Sequence, residues 1–225
     1  MSIKRTYIFI GLFLSLITSF AQATILTTEF KTSPSYLVAS GAGNMFDVNV
    51  SGDDLLVTGI EIHTSIPSNG DASGTVNLFT RSGTYFGNET NALGWNLVDM
   101  VGFTSAGFGN PTFIDIADFV LSGGVTGFYV TLSEASFTTT RMRSTVGPVG
   151  TTGNVAVSNS DLDIRVGIGL TQPFFSGNIS YARTWNGSIH YEVAQVPEPS
   201  TLVLMGLGLL GLFGPGSKRR APLVS

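Results

Sequence analysis

The stretch "MFDVNVS", Met45 to Ser51, carries the reading of the fold. Phe46, Val48 and Val50 alternate with Asp47, Asn49 and Ser51. A period of two puts the apolar side chains on one face and the polar ones on the other. That is the pattern of a β-strand with one buried and one wet face.

The same alternation recurs along the chain. In "DLDIRVGI", Leu162, Ile164, Val166 and Ile168 are expected on one face, with Asp161, Asp163 and Arg165 on the other. "GFYVTL" groups Phe128, Val130 and Leu132, and "SIHYEV" groups Ile189, Tyr191 and Val193. Further strands are expected over Leu55–Thr64, Gly74–Arg81, Trp95–Val101 and Thr112–Leu121. Turn signals such as "SGDD", "PSNGDASG", "SGG" and "WNGS" separate them. The body shows no helical stripe and no repeat of fixed period. About eight to ten strands predict an all-β, antiparallel β-sandwich of jelly-roll type, with a barrel as the competing closure.

Both ends differ from this body. "MSIKRTYIFIGLFLSLITSFAQA" has a basic start (Lys4, Arg5), a short apolar run and a small-x-small site at Ala21 and Ala23. It reads as a signal peptide, residues 1–23, cut by signal peptidase after Ala23. The body, 24–195, is then about 170 residues of the 225, one domain with a core of its own. It holds six basic and fourteen acidic residues, a net charge of −8 against −4 for the whole chain. Such a surface disfavours nucleic acid. There is no cysteine, so packing alone must hold an exported fold, and thiol catalysis is excluded.

Near the C-terminus, "VPEPST" (Val196, Pro197, Glu198, Pro199, Ser200, Thr201) precedes the apolar run Leu202–Phe213 and the basic cluster Lys218, Arg219 and Arg220. As a helix, Thr201–Ser217 would span about 25 Å at ~1.5 Å per residue, close to a bilayer core of ~30 Å. The basic cluster would hold its far end in the cytoplasm. The two prolines end the last strand and leave an extended, accessible segment. The three-part tail, 196–220 with a short remainder at 221–225, resembles the PEP-CTERM sorting signal of exported bacterial proteins. That resemblance implies an exosortase as partner and removal of the tail near Pro197–Pro199. It implies an inner-membrane-anchored precursor, a mature domain at the cell surface or outside a Gram-negative cell, and a link to exopolysaccharide or biofilm. "GPGS" (Gly214–Ser217) and the trailing "APLVS" depart from the usual pattern and leave processing efficiency open. The body also looks like a recurrent exported β-domain, on "GNMFDV", "VTGIEIHT", "NALGWNLVD", "GFGNPTFIDIADFVL" and "GFYVTL". That second likeness implies no activity.

Candidate chemistry in the body is sparse. His63 and His190 alternate with apolar neighbours and are expected on wet strand faces. No serine sits in a "GxSxG" elbow, so no catalytic residue is nominated and the chain is read as a non-enzyme. A carbohydrate-active enzyme on the same scaffold is the alternative. Asp161 and Asp163 would lie about 7 Å apart on one strand face, at ~3.4 Å per residue. With the turn residues Asp53, Asp54 and Asp71 they are the calcium candidates; Ca²⁺ wants six to eight oxygens, and solvated acids and turn caps are the plainer account. No other cofactor is expected. Trp95 and Trp185 read as core. Tyr85, Phe86, Phe174 and Phe175 fall in loop-like stretches and are the candidate carbohydrate contacts. The sequons at Asn49, Asn88, Asn178 and Asn186 carry little weight in a bacterial setting.

Overall fold

The computed structural model describes residues 23–28, 37–65, 73–107, 109–133, 141–148 and 150–194. Residues 1–22 of the signal-peptide run, the tail from 195 onward and Asp71 lie outside them. The described residues form sixteen strands and no helix. In chain order they are β1 (Thr24–Thr27), β2 (Leu37–Gly41), β3 (Gly43–Val50), β4 (Leu55–Ile62), β5 (Thr64–Ser65), β6 (Ser73–Ser82), β7 (Asn96–Thr104) and β8 (Thr112–Ile114). Then come β9 (Phe119–Leu121), β10 (Gly124–Leu132), β11 (Arg141–Val146), β12 (Val155–Ser158), β13 (Leu162–Arg165), β14 (Gly167–Gln172), β15 (Ser176–Trp185) and β16 (Gly187–Val193).

Two sheets result. The small one runs β1-β16-β4-β8, with β9 also on β4. The large one runs β2-β11-β15-β14-β3-β10-β6-β7, with β13 on β3, β12 on β13 and β5 on β11. All of these strand pairs are antiparallel. The main core lies between the sheets, as in a sandwich. The small sheet gives it Leu26, Leu55, Val57, Ile60, Ile62, Ile114, Leu121, Ile189 and Tyr191; the large one gives Phe46, Val48, Val50, Val76, Leu78, Phe128, Val130, Leu132, Ile164 and Trp185. Trp185 stacks on Phe46 with ring centroids 4.7 Å apart. The period-two reading of "MFDVNVS" and "GFYVTL" therefore places their apolar sets correctly.

Two expected strands are broken. Thr112–Leu121 is not one strand: β8 and β9 pair with different stretches of β4, and residues 115–118 cross between them. "DLDIRVGI" also divides, at Val166. Leu162 and Ile164 point into the sandwich, whereas Ile168 lies on the outer face of the large sheet. The shared face expected for all four residues does not form, because the chain leaves one stretch of β3 for another at that point.

Candidate functional site: the outer face of the large sheet

The face of β3 expected to be wet is partly dry. A second cluster forms there from Met45, Tyr85, Trp95, Tyr129, Ile168, Leu170 and Phe175, with Phe79 and Ile179 packed against it. Its strand members alternate with the inward residues: Met45 with Phe46, Tyr129 with Phe128, Phe79 with Leu78. Two connections cover it.

The first is the loop between β6 and β7. Gly83 bridges to Thr126, and its N–H donates to the Val125 carbonyl at 3.0 Å. Gly127 makes this crossing feasible. A Cβ there would stand 2.8 Å from the Tyr85 nitrogen and 2.9 Å from Arg81 Cγ, closer than real Cβ contacts allow. Asp47, on the same face of β3, anchors the loop. Its carboxylate accepts from Thr84 Oγ1 at 2.7 Å and from the Tyr85 N–H at 2.9 Å. Burial pushes the Asp47 pKa up, against the pull of those two bonds and of Arg165 and Arg81. Further along the loop, Trp95 Nε1 donates to the Asn88 carbonyl at 3.2 Å. The Arg81 guanidinium lies over the Trp95 ring, 5.6 Å from its centroid.

The second connection is the β14–β15 hairpin, closed by the pair Gln172 and Ser176. Two successive residues at its tip have positive φ: Phe174 at 54° and Phe175 at 61°. Asn-Gly is the usual occupant of such a tip, because a Cβ is strained there. Each phenylalanine costs about 1–3 kcal/mol in that conformation. Phe175 regains this by packing. It is only 9% exposed and meets Tyr129 at 4.9 Å, Phe79 at 5.3 Å and Trp95 at 5.5 Å between ring centroids. Phe174 regains less, being 49% exposed.

The four aromatic candidates therefore divide. Tyr85, at 2% exposure, and Phe175 are buried supports and are not available to a ligand, contrary to the loop reading. Phe86, at 64%, and Phe174 are presented to solvent. Tyr181 joins them at 59%, close enough to Tyr85 for its charge to raise that phenol's pKa. No pattern in the sequence marked Tyr181, which sits inside β15. Nor did any flag Asp47, Phe79 or Tyr129, since alternation names two faces without saying that loops cover the second. Trp95 and Trp185 are core, each in a different cluster.

The remaining candidates scatter. Asp161 and Asp163 do not share a strand face. Asp161 sits in the turn before β13, where its carboxylate accepts from the Tyr191 hydroxyl at 2.9 Å. Burial and that carboxylate push the Tyr191 pKa up to about 12. Asp163 points outward, accepting from Asn49 Nδ2 at 2.8 Å and Arg165 Nε at 2.9 Å. Asp53 is exposed, and Asp54 accepts from Ser122 Oγ and the Gly123 N–H, both at 3.3 Å. Among the described residues no three acidic or histidine side chains form a group fit for a metal ion. His63 is buried, not wet, and its Nε2 accepts the Gly109 N–H at 3.0 Å. Burial, then Arg143, lowers its pKa. His190 does lie on an outer face, 3.6 Å from Glu61 and edge-on to Phe113. The Ser188 hydroxyl beside it donates to Glu61, not to the imidazole. Asn186 is fully buried, so it is no glycan acceptor.

The motifs at the two ends lie outside the described residues, apart from Ala23, which is exposed and immediately precedes β1. The family profile described as the PEP-CTERM protein-sorting motif matches residues 195–214. No curated protein matches the chain. The matched motif is that of exported proteins whose membrane-anchored precursor is sorted to the cell surface by an exosortase. It begins one residue after Ala194, whose N–H makes the last described backbone bond, to the Asp54 carbonyl at 2.7 Å.

Proposed function

We propose that this chain is a non-enzymatic component of the cell surface or extracellular matrix, and that its large sheet binds polysaccharide through the outer aromatic face. Signal peptidase cuts after Ala23. The tail holds the precursor at the outer side of the inner membrane of a Gram-negative cell. An exosortase reads Pro197, Glu198 and Pro199, and the body is released or passed to a surface carrier. Exopolysaccharide of a biofilm is the natural ligand in that setting.

One observation carries the binding reading: Phe174 is held in a strained conformation and left half in solvent. A chain selected for stability alone would place asparagine or glycine there. Strain kept while half of the ring stays in solvent points to use by a ligand.

Intact mass and cell fractionation test the sorting half. Loss of residues 1–23 and of the chain beyond about 196, with the body outside the cell, is expected. Extra mass on the new C-terminus means transfer to a carrier. An intact tail in the inner membrane would reduce the motif to a plain anchor. Incubation of the purified protein with cell-derived polysaccharide tests the other half. Retention without shortening of the polymer is expected; shortening would favour the carbohydrate-active enzyme instead.

A further inference from the structure

Resting on that reading, we infer that the polysaccharide is neutral, with pyranose rings that present flat C–H faces, and is not a polyanion. The charged groups around the aromatic cluster are paired, bonded within loops or buried against a ring. Arg165 pairs with Asp163 at 2.9 Å. Arg81 is drawn over Trp95, with its Nε and Nη1 buried. Asp47 holds Thr84 and Tyr85, and Glu89 accepts the Gly87 N–H at 3.0 Å. Around the aromatic cluster Arg81 and Arg165 stand against Asp47, Glu89 and Asp163, so the rings have no positive excess beside them to meet a uronate or sulfate. The body as a whole, at −8, repels a polyanion before contact. What the face offers is ring surface: Phe86, Phe174 and Tyr181 stand out around a rigid aromatic base. Aromatic faces gain from apolar contact, and the Tyr181 hydroxyl adds one polar handle.

The test is retention of the full chain, in mild detergent, on a panel of neutral polymers (glucan, mannan, galactan) and acidic ones (alginate, polygalacturonate), at low and high salt. Retention on a neutral polymer, unchanged by salt, is expected. Phe174→Ala and Tyr181→Ala should each weaken it about tenfold. Both side chains are exposed, so an unchanged melting temperature serves as the folding control. Salt-sensitive retention on the acidic polymers alone would overturn the neutral assignment and leave a binding face in place. Neutral retention untouched by Phe86→Ala, Phe174→Ala and Tyr181→Ala would overturn this face as the site. Retention on none of the panel would overturn the parent reading.

Discussion

Phe174 sets stability against use at a single residue. Replacing it by Asn keeps the tip conformation and removes the misfit of an aromatic side chain at positive φ. Phe174→Asn should gain about 1 kcal/mol, or roughly 2–4 °C in Tm for a body of this size, while losing glycan retention. Thermal unfolding and the binding assay, run on one preparation, check both. Asp47 makes a second residue-scale prediction. Its native pKa lies above the ordinary 3.8, so the folded state takes up a proton more readily than the unfolded chain. Its contribution to stability therefore improves as pH falls through the native pKa and levels off below 3.8. Above the native pKa the full cost of burying the charge is carried. Asp47→Asn removes this dependence, so the Tm of the variant minus that of the wild type should shrink as pH is lowered across that window. A difference that stays flat with pH would mean the carboxylate is not desolvated.

At the scale of the strand, β7 is one edge of the large sheet among the described residues. It carries Leu97 and Met100 outward, the kind of edge that recruits further strands. Two devices blunt it. The register with β6 shifts so that Val98 is an extra residue. Asp99 then accepts the Met100 N–H and the Ala117 N–H, each at 2.7 Å. Asp99→Ala frees those donors, and light scattering should show concentration-dependent association that the wild type lacks. Elements were also where the sequence was most and least legible. Strand β16 could be read because one face meets the core while the other carries Ser188, His190 and Glu192, and β3 and β10 could be read for their inward residues. The break at Val166 could not be read, since Leu162, Ile164 and Ile168 are equally apolar and only the pairing partner changes. The second cluster was hidden for a related reason. Met45 and Tyr129 need burial as much as Phe46 and Phe128 do, and what covers them is a loop more than thirty residues away along the chain. Tyr85 and Phe175 looked like exposed loop aromatics because a loop folded over a sheet has the same composition as one in solvent.

Across the whole molecule, β1 and β16 are antiparallel neighbours, with Thr24 opposite Tyr191. The described body thus begins and ends at the same pole, beside the β3–β4 turn that binds Ala194. A chain ending at Gln195 should melt within about 1 °C of the processed protein, since the described core and ladder are complete by Ala194. Removing residues 24–28 should instead be costly. It strips Leu26 from the core and the Thr28 hydroxyl from the Gly187 N–H it accepts at 2.9 Å, a loss of about 3 kcal/mol or more. Calorimetry of the two truncations separates these outcomes. The neighbouring ends also make the body a cassette. Thr24 lies opposite Tyr191 and Ala194 is three residues further on, so the two joints are roughly 11 Å apart at ~4.8 Å across and ~3.4 Å per residue along the strand, a gap that a short linker closes in a host surface loop. Spliced there, residues 24–194 would hang from a foreign scaffold by both ends at once, and the aromatic face would travel with them as a transplantable grip.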